Sequence, residues 1–420
     1  MRNYYLFIFF VLFGLLMNAQ INKVITLEEC YSLAKQNYPL VKQRDLIHKS
    51  KEYSVQNISK GYFPQIAING QATYQSEVTA LPIKLPGVDV PSLSKDQYKI
   101  YGEINQPLYD GGMVKQQKRM QEASGVVEEQ KLEVELYKLK ERVNQLFFGI
   151  LLIDEQLTLT ELIRKDIRNG MDRTEAGIKN GVAFKTNLDV LRAENLKLDQ
   201  RYTELKANRT AYLDMLSLYL NQNLEEGTSL IKPSEKIPSQ SIDRPELIVF
   251  ENQSKNISIQ NDLLKAKNLP KFNAFVQGGY GRPALNFLSN KFEPYYVGGI
   301  RMNWSLTGLY TLKKEKAILD INRQSIDLQK ELFLFNTNFA LKQQSAEVSK
   351  LQKLLLSDNQ IILLRSDIKQ SANVQLQNGV INSTDYLREV NAEDQARGNR
   401  VLHEIQLLMA EYAQQNTIGE

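Results

Sequence analysis

The chain has 420 residues, with 52 Lys and Arg against 48 Asp and Glu and a formal net charge of +4. So small an excess, interspersed with acids along the chain, lacks the concentrated basic stripe of a nucleic-acid-binding protein. A single cysteine, Cys30, and two histidines, His48 and His403, exclude an internal disulfide framework and leave too few parts for zinc or thiolate chemistry. No nucleophile, base and orienting group come together as a set, so neither catalysis nor a cofactor is expected.

Residues 1–20, "MRNYYLFIFFVLFGLLMNAQ", carry Arg2, an apolar run from Leu6 to Met17, then small and polar residues. An apolar run of about a dozen residues is short for a bilayer span. The pattern predicts a secretory signal peptide cut near Asn18-Ala19-Gln20, an N-terminal membrane anchor being the other reading. A lipoprotein would need a cysteine at the cut, and the nearest is Cys30.

A first repeat is expected over 21–232. It opens with a helix, followed by strands at about 62–76 and 97–108. In the first strand Ile66, Ile68, Gly70, Ala72 and Tyr74 alternate with Gln65, Asn69, Gln71, Thr73 and Gln75. In the second, Tyr98, Ile100, Gly102 and Ile104 alternate with Lys99, Glu103 and Asn105. This is the period of a strand with one apolar face. A loop with Pro82, Pro86 and Pro91 joins them. From Met113 to Lys179 almost no Gly and no Pro intervenes. Leu132, Leu136, Leu139, Val143, Leu146, Ile150, Ile153 and Leu157 there follow a 4-3 spacing, the seam of a coiled coil. As one helix this segment would be roughly 100 Å long. A turn near 180–186 leads to a helix from Leu188 to Leu220.

Residues 222–245, with Pro233, Pro238 and Pro245, read as a linker without periodicity. A second repeat is expected over 243–420: a helix, then strands at about 270–281 and 295–305 around a loop with Pro283 and Pro294. Phe272, Ala274, Val276, Gly278 and Tyr280 form one apolar set, and Tyr296, Gly298, Ile300, Met302 and Trp304 the other. A long helix follows, with a core seam expected through Ile321, Leu328, Leu332, Phe335, Phe339, Leu351, Leu355 and Ile362 to about Leu376. After a turn near 378–384, a last helix runs from Tyr386 to Tyr412.

The two turns read "NGVAFKTNLDV" and "NGVINSTDYLR". Gly181 and Gly379 stand where a helix ends in a left-handed residue, which glycine adopts without a Cβ penalty. Thr186 or Asn187, and Ser383, Thr384 or Asp385, are the expected N-caps of the next helices. Each turn closes a long antiparallel helical hairpin. The fold class is therefore mostly α with a small β part, in two repeats.

The strands leave two readings. One apolar face could lie on a soluble sandwich core. Strand lengths near ten residues, a polar face of amides and charges, and aromatics near the strand ends (Tyr62, Phe63, Tyr109, Tyr295, Trp304, Tyr310) favour transmembrane β-strands. Four strands cannot close a barrel around a lumen, and lipid does not tolerate an open edge, so several copies must combine.

"ITLEECYSLAKQNYPLV" (Ile25 to Val41), "GYFPQIAINGQATYQS" and "QPLYDGGMVKQQKRMQEA" (Gln106 to Ala123) resemble the TolC-type outer-membrane efflux protein family, also called outer membrane factors. Pro107, Leu108, Tyr109, Asp110, Gly111 and Gly112 match its Pro-Leu-aromatic-Asp-Gly-Gly passage from strand to helix. The resemblance covers nearly all of the chain beyond residue 20. It implies a homotrimer in which each chain gives four strands to a twelve-stranded barrel and two hairpins to an α-helical tunnel. It also implies a cell outer membrane location with the tunnel in the periplasm, a periplasmic adaptor protein at the tunnel's far end, and an inner-membrane pump reached through that adaptor. The function implied is a passive exit duct for efflux or type I secretion. The alternative is a periplasmic or surface coiled-coil protein with a structural or adhesive role.

The resemblance further implies that acidic residues after the second turn narrow the tunnel tip. Asp385 matches such a position; Arg388 stands where a further acid would fall, and Asn187 is the first repeat's equivalent of Asp385. Asp385 also suits the first turn of a helix on purely structural grounds. Asn180, Gly181, Val182, Asn378, Gly379 and Val380 are candidates for the adaptor-docking tip, or are hairpin chemistry alone. Pro107, Asp110, Gly111, Gly112 and Gly308 mark the strand-to-helix bends, and "WSLTGLY" lacks the Asp-Gly-Gly of the first copy. Gly111-Gly112 is no phosphate loop, because the Lys and Ser/Thr that would complete one are absent.

Overall fold

The computed structural model describes residues 24–79, 93–234 and 241–420. The expected signal peptide, the loop prolines Pro82, Pro86 and Pro91, and Pro238 lie outside the described residues. The elements in order are β1 (Val24–Ile25), α1 (Leu27–Asn37), α2 (Gln43–Ser59), β2 (Gln65–Tyr74), β3 (Asp96–Tyr109), α3 (Met113–Tyr137), α4 (Leu139–Lys179), α5 (Lys185–Leu220), β4 (Ser229–Leu230), α6 (Pro245–Lys267), β5 (Lys271–Arg282), β6 (Glu293–Asn303), α7 (Gly308–Gln377) and α8 (Ser383–Ile418). The protein is mostly helical with one four-stranded sheet. Two compact units interleave along the chain. One takes the residues up to Val41, Glu133–Pro245 and Phe333–Glu420; the other takes Lys42–Leu132 and Glu246–Leu332.

The helical unit is built on the 4-3 seam of α4. Leu139, Val143, Ile150 and Ile153 are buried, while Leu146 and Leu157 are half-buried. Beyond Ile153 the seam continues through Thr160, Ile163, Ile167, Gly170 and Thr174. Thr160, Gly170 and Thr174 interrupt its apolar residues there, so hydrophobicity alone does not reveal it. Around Phe147 and Phe148 a core gathers Leu27 and Cys30 of α1, Leu213 and Leu216 of α5, and Ile405, Leu408 and Tyr412 of α8. A second core joins Ile163 and Ile167 to Leu191, Ala372, Tyr386 and Val390. The expected single helix over 113–179 is two, α3 and α4, separated at Lys138, whose backbone stays right-handed and still donates to the Val134 carbonyl at 3.3 Å.

The segment 222–245, which lacks periodicity, is structured in part. β4 pairs in parallel with β1, and Leu224 and Leu230 enter the core. Arg209, itself bonded to Asp154, donates to the Thr228 carbonyl at 2.7 Å and to that of Glu226. A two-residue ladder lies below the length at which alternation can be seen.

The expected core seam of the last long helix needs correction. Ile321, Leu328, Leu332, Phe335 and Phe339 are 57–69% exposed. The reason is one of partnership: the closest backbone packing of α8 is against α4, and α7 meets α8 chiefly through side chains such as Arg365–Glu389 and Asn359–Arg400. The later part of the seam is covered, with Leu351 1% exposed and Leu355, Ile362 and Leu376 half-buried, but among the described residues no helix covers its first part, Ile321 to Phe339.

The other unit holds the sheet, ordered β2-β3-β5-β6 and antiparallel throughout. Apart from a register shift between Pro107 and Tyr109, its register pairs even residues with even and odd with odd: Ile68 faces Gly102, Gly102 faces Gly278 and Gly278 faces Tyr296. Because side chains alternate between faces, this register puts every apolar set on one face. That face is uncovered: Ile68 is 81% exposed and Tyr296 82%. β2 and β6 each pair on one side only among the described residues.

Candidate functional site

Four places carry the chain's functional candidates: two helix turns, a cluster of buried charges, the strand-to-helix bends and the polar sheet face. At the first turn Gly181 has φ +75°, and at the second Gly379 has φ +69°. Val182 N donates to Gly177 O at 2.9 Å and Gly181 N to Ile178 O at 3.0 Å. Val380 N donates to Gln375 O at 2.9 Å and Gly379 N to Leu376 O at 3.1 Å. These paired bonds are the Schellman motif, which satisfies the helix's last carbonyls and demands a left-handed residue. Asn180 and Asn378 each precede that glycine as the C-cap residue.

The N-caps differ from expectation. α5 begins at Lys185 with Phe184 in the cap position and no side-chain cap, so neither Thr186 nor Asn187 serves. α8 is capped by Asn382, whose Oδ1 accepts from Asp385 N at 3.0 Å. Ser383 is unavailable because its hydroxyl is buried against that of Thr174 at 3.2 Å. The turns expose Val182 (75%), Val380 (70%) and Phe184 (78%). Nothing in the sequence singles out Phe184, since a lone aromatic beside a turn has no periodicity to mark it.

Asp385 and Asn187 are half-buried, and Arg388 is exposed. Arg388 lies 3.8 Å from the Asp385 carboxylate and 3.0 Å from that of Glu389, which Arg365 also approaches. The acid after the second turn is thus partly countered within its own chain.

Further along α8, Glu393 is 3% exposed and accepts from Arg397 at 2.7 Å and from Lys369 of α7 at 2.5 Å. Lys369 also reaches Asp166 of α4 at 2.8 Å. Burial works against the charge on Glu393, but the bonds from Lys369 and Arg397 outweigh it and hold the carboxyl below the usual carboxylate range. Burial likewise opposes the Lys369 ammonium, and Asp166 and Glu393 outweigh it, so its pKa is raised. No local pattern announces this cluster, because α4 supplies one member and the second hairpin, about 200 positions later, the others.

At the first bend, after Pro107, Asp110 accepts from Gly112 N at 2.8 Å and from Val114 N at 2.7 Å, covering the free amides at the start of α3. Gly111 and Gly112 have φ +72° and +78°, and a Cβ on Gly111 would stand 2.9 Å from the Ala266 carbonyl oxygen. The second bend works differently. α7 starts on Gly308 itself, where any Cβ would run into the Asn268 side chain, and Trp304 Nε1 donates to Asn268 O at 3.1 Å.

On the polar sheet face Glu103 is a hub. It accepts from Asn105 and Gln277 at 2.6 Å and from Arg301 at 3.1 Å. Arg301 in turn lies 4.3 Å over the Phe275 ring. Among the described residues there is no grouping fit to hold a metal ion, and no helix is long and apolar enough to cross a membrane.

Residues 30–221 match the family model described as outer membrane efflux protein. No curated protein matches the chain. Solved structures are similar in fold. The outer membrane protein VceC of Vibrio cholerae is 11% identical, with 94% of this chain and 96% of that one covered and a TM-score of 0.66. The CmeC outer membrane channel of Campylobacter jejuni is 12% identical, with 94% and 85% covered and a TM-score of 0.64. The open state of the MtrE outer membrane channel of Neisseria gonorrhoeae is 14% identical, with 93% and 88% covered and a TM-score of 0.65. The chain thus matches the outer membrane efflux protein pattern over residues 30–221 and has the fold of solved outer membrane channels over 94% of its length.

Proposed function

We propose that the protein is the outer-membrane exit duct of a tripartite efflux or type I secretion system, a passive conduit for cargo delivered by a pump. The observation that carries this reading is a pair of apolar surfaces that a single chain leaves bare. One is the even face of the sheet, suited to lipid; the other is the α7 stripe, suited to a neighbouring copy. The two one-sided strand edges point the same way, since an edge in lipid must be paired. Three copies would close a twelve-stranded barrel, and their helical hairpins, two from each chain, would form the periplasmic tunnel. A coiled-coil adhesin has no use for the uncovered sheet face.

In this reading Asp385, Arg388 and Asn187 lie at the tunnel tip, and three Asp385 carboxylates bias the pore toward cations. The purified protein is expected to insert into planar bilayers with discrete conductance steps, and Asp385→Ala to lower its cation preference. A wild-type protein that never conducts and fractionates with the periplasm overturns the duct. Unchanged selectivity in the variant removes Asp385 from the constriction.

Val182 and Val380, with Phe184 beside them, offer an apolar tip to a periplasmic adaptor's helical hairpin. Cysteines at 182 and 380 are expected to form crosslinks to the adaptor in cells. Crosslinks that form from the helix flanks and never from these two positions would move the docking site off the tip.

A further inference from the structure

In the proposed duct the odd, polar face of the sheet lines the exit, and the role assigned to Gly299 rests on that reading. Three aromatic residues sit on this face: Tyr101, Phe275 and Tyr295. No layer covers them, yet all three are half-buried, whereas Tyr296 on the opposite face stands 82% exposed. Each has a glycine as register partner, as Tyr296 has Gly278, but only on the odd face does the strand or ring opposite close on the glycine. Tyr101 and Tyr295 are both register partners of Gly279, and Phe275 is the partner of Gly299. A Cβ on Gly279 would come 2.8 Å from Tyr101 Cα and 2.5 Å from its Cβ, so the β3 backbone lies close against that residue. A Cβ on Gly299 would stand 3.4 and 3.6 Å from two ring atoms of Phe275, so that ring lies against the bare backbone. The Arg301 guanidinium covers the ring and is tied to Glu103, which Gln277 and Asn105 also hold.

We infer that Gly299 is a size-determining residue of the exit. It provides the recess in which Phe275 lies flat under Arg301, and so keeps both side chains out of the bore. A β-branched residue at 299 takes that recess, lifts the ring and its guanidinium, and narrows the exit in every copy of the assembly. Alanine does not, because 3.4 Å is ordinary van der Waals contact.

The test reads the bore from outside and is independent of the periplasmic tip. Asn303 lies on the same face, nearer the helix end of β6 than Gly299. In intact cells, Asn303→Cys is treated with thiol-reactive polyethylene glycols of graded mass. Protein with only the buried Cys30 is the blank. G299V is expected to lower the largest reactive polymer at least two-fold in mass, G299A to leave it unchanged, and F275A/G299V to restore it. Loss of G299V from the outer membrane with F275A/G299V retained would also support competition for one space. An equal cut-off in G299V and the wild type, or loss of both variants, overturns the inference. Failure of even the smallest reagent to reach N303C overturns the lumen reading itself.

Discussion

Replacing Phe335 and Phe339 together with aspartate is expected to abolish the assembly while leaving the chain folded. Both rings stand more than two-thirds exposed on α7, so an isolated chain loses little packing by the change. In an assembly that covers the stripe, burying a phenylalanine contributes about 1.5–3 kcal/mol. Two rings therefore remove roughly 3–6 kcal/mol from each copy, about two to four decades in association constant. The aspartates add a desolvation cost that works in the same direction. The measurement is the heat-resistant oligomer on a denaturing gel, beside circular dichroism of detergent-solubilised protein. A persistent oligomer would place the intersubunit surface elsewhere. Loss of helical signal would mean that the stripe is packed within the chain.

The second large effect concerns the charges joining α4, α7 and α8. Lys369→Met removes the main partner of a carboxylate that is 3% exposed. Breaking a buried ion pair on one side costs about 3–5 kcal/mol, because the remaining charge stays buried; Arg397, still 2.7 Å from Glu393, holds the loss toward the lower figure. At about 2–4 °C per kcal/mol for a domain of 150–250 residues, a fall in melting midpoint of roughly 6–20 °C is expected. Glu393→Gln should cost less, since the amide keeps the shape and Lys369 retains Asp166.

The pH dependence has a definite sign. The Glu393 carboxyl is held below its ordinary value in the folded state. Its contribution is fully present above the unfolded carboxylate pKa of about 4.3 and is lost as pH falls through the lower folded value. Lys369 is raised, so its contribution is full below about 10.4 and is lost as pH rises through the higher folded value. The gap in midpoint between wild type and K369M should be flat from about pH 5 to 9 and shrink in acid. A gap that does not narrow in acid would show that Glu393 is not the charge left stranded.

Much of this protein is legible in its sequence because it is written locally. A strand with one apolar face declares itself over ten residues, and β2, β3, β5 and β6 fall within about three residues of their expected bounds. A helix ending in a left-handed residue needs glycine, so Gly181 and Gly379 mark both turns. The Asp-Gly-Gly passage holds its own explanation, an acid that covers the amides at the start of a helix after two left-handed residues.

Heptad spacing in α4 and in α7 looks alike, yet the α4 seam is a core, while that of α7 is bare from Ile321 to Phe339 and covered at Leu351. Spacing states that a helix has an apolar stripe; only the placement of the other helices states what covers it. The same holds for Glu393 and Lys369, which read as ordinary surface charges until α4, α7 and α8 bring them together. The caps went to Asn382 and Phe184 rather than to their polar neighbours, since Ser383 was already committed to Thr174 across the core. The amino-acid order by itself determined the elements, the turns and the apolar faces, because hydrogen-bond closure and side-chain period act over a few residues. Which faces are covered, which charges are buried and which rings lie flat were decided by tertiary structure, because those depend on neighbours that chain order does not place.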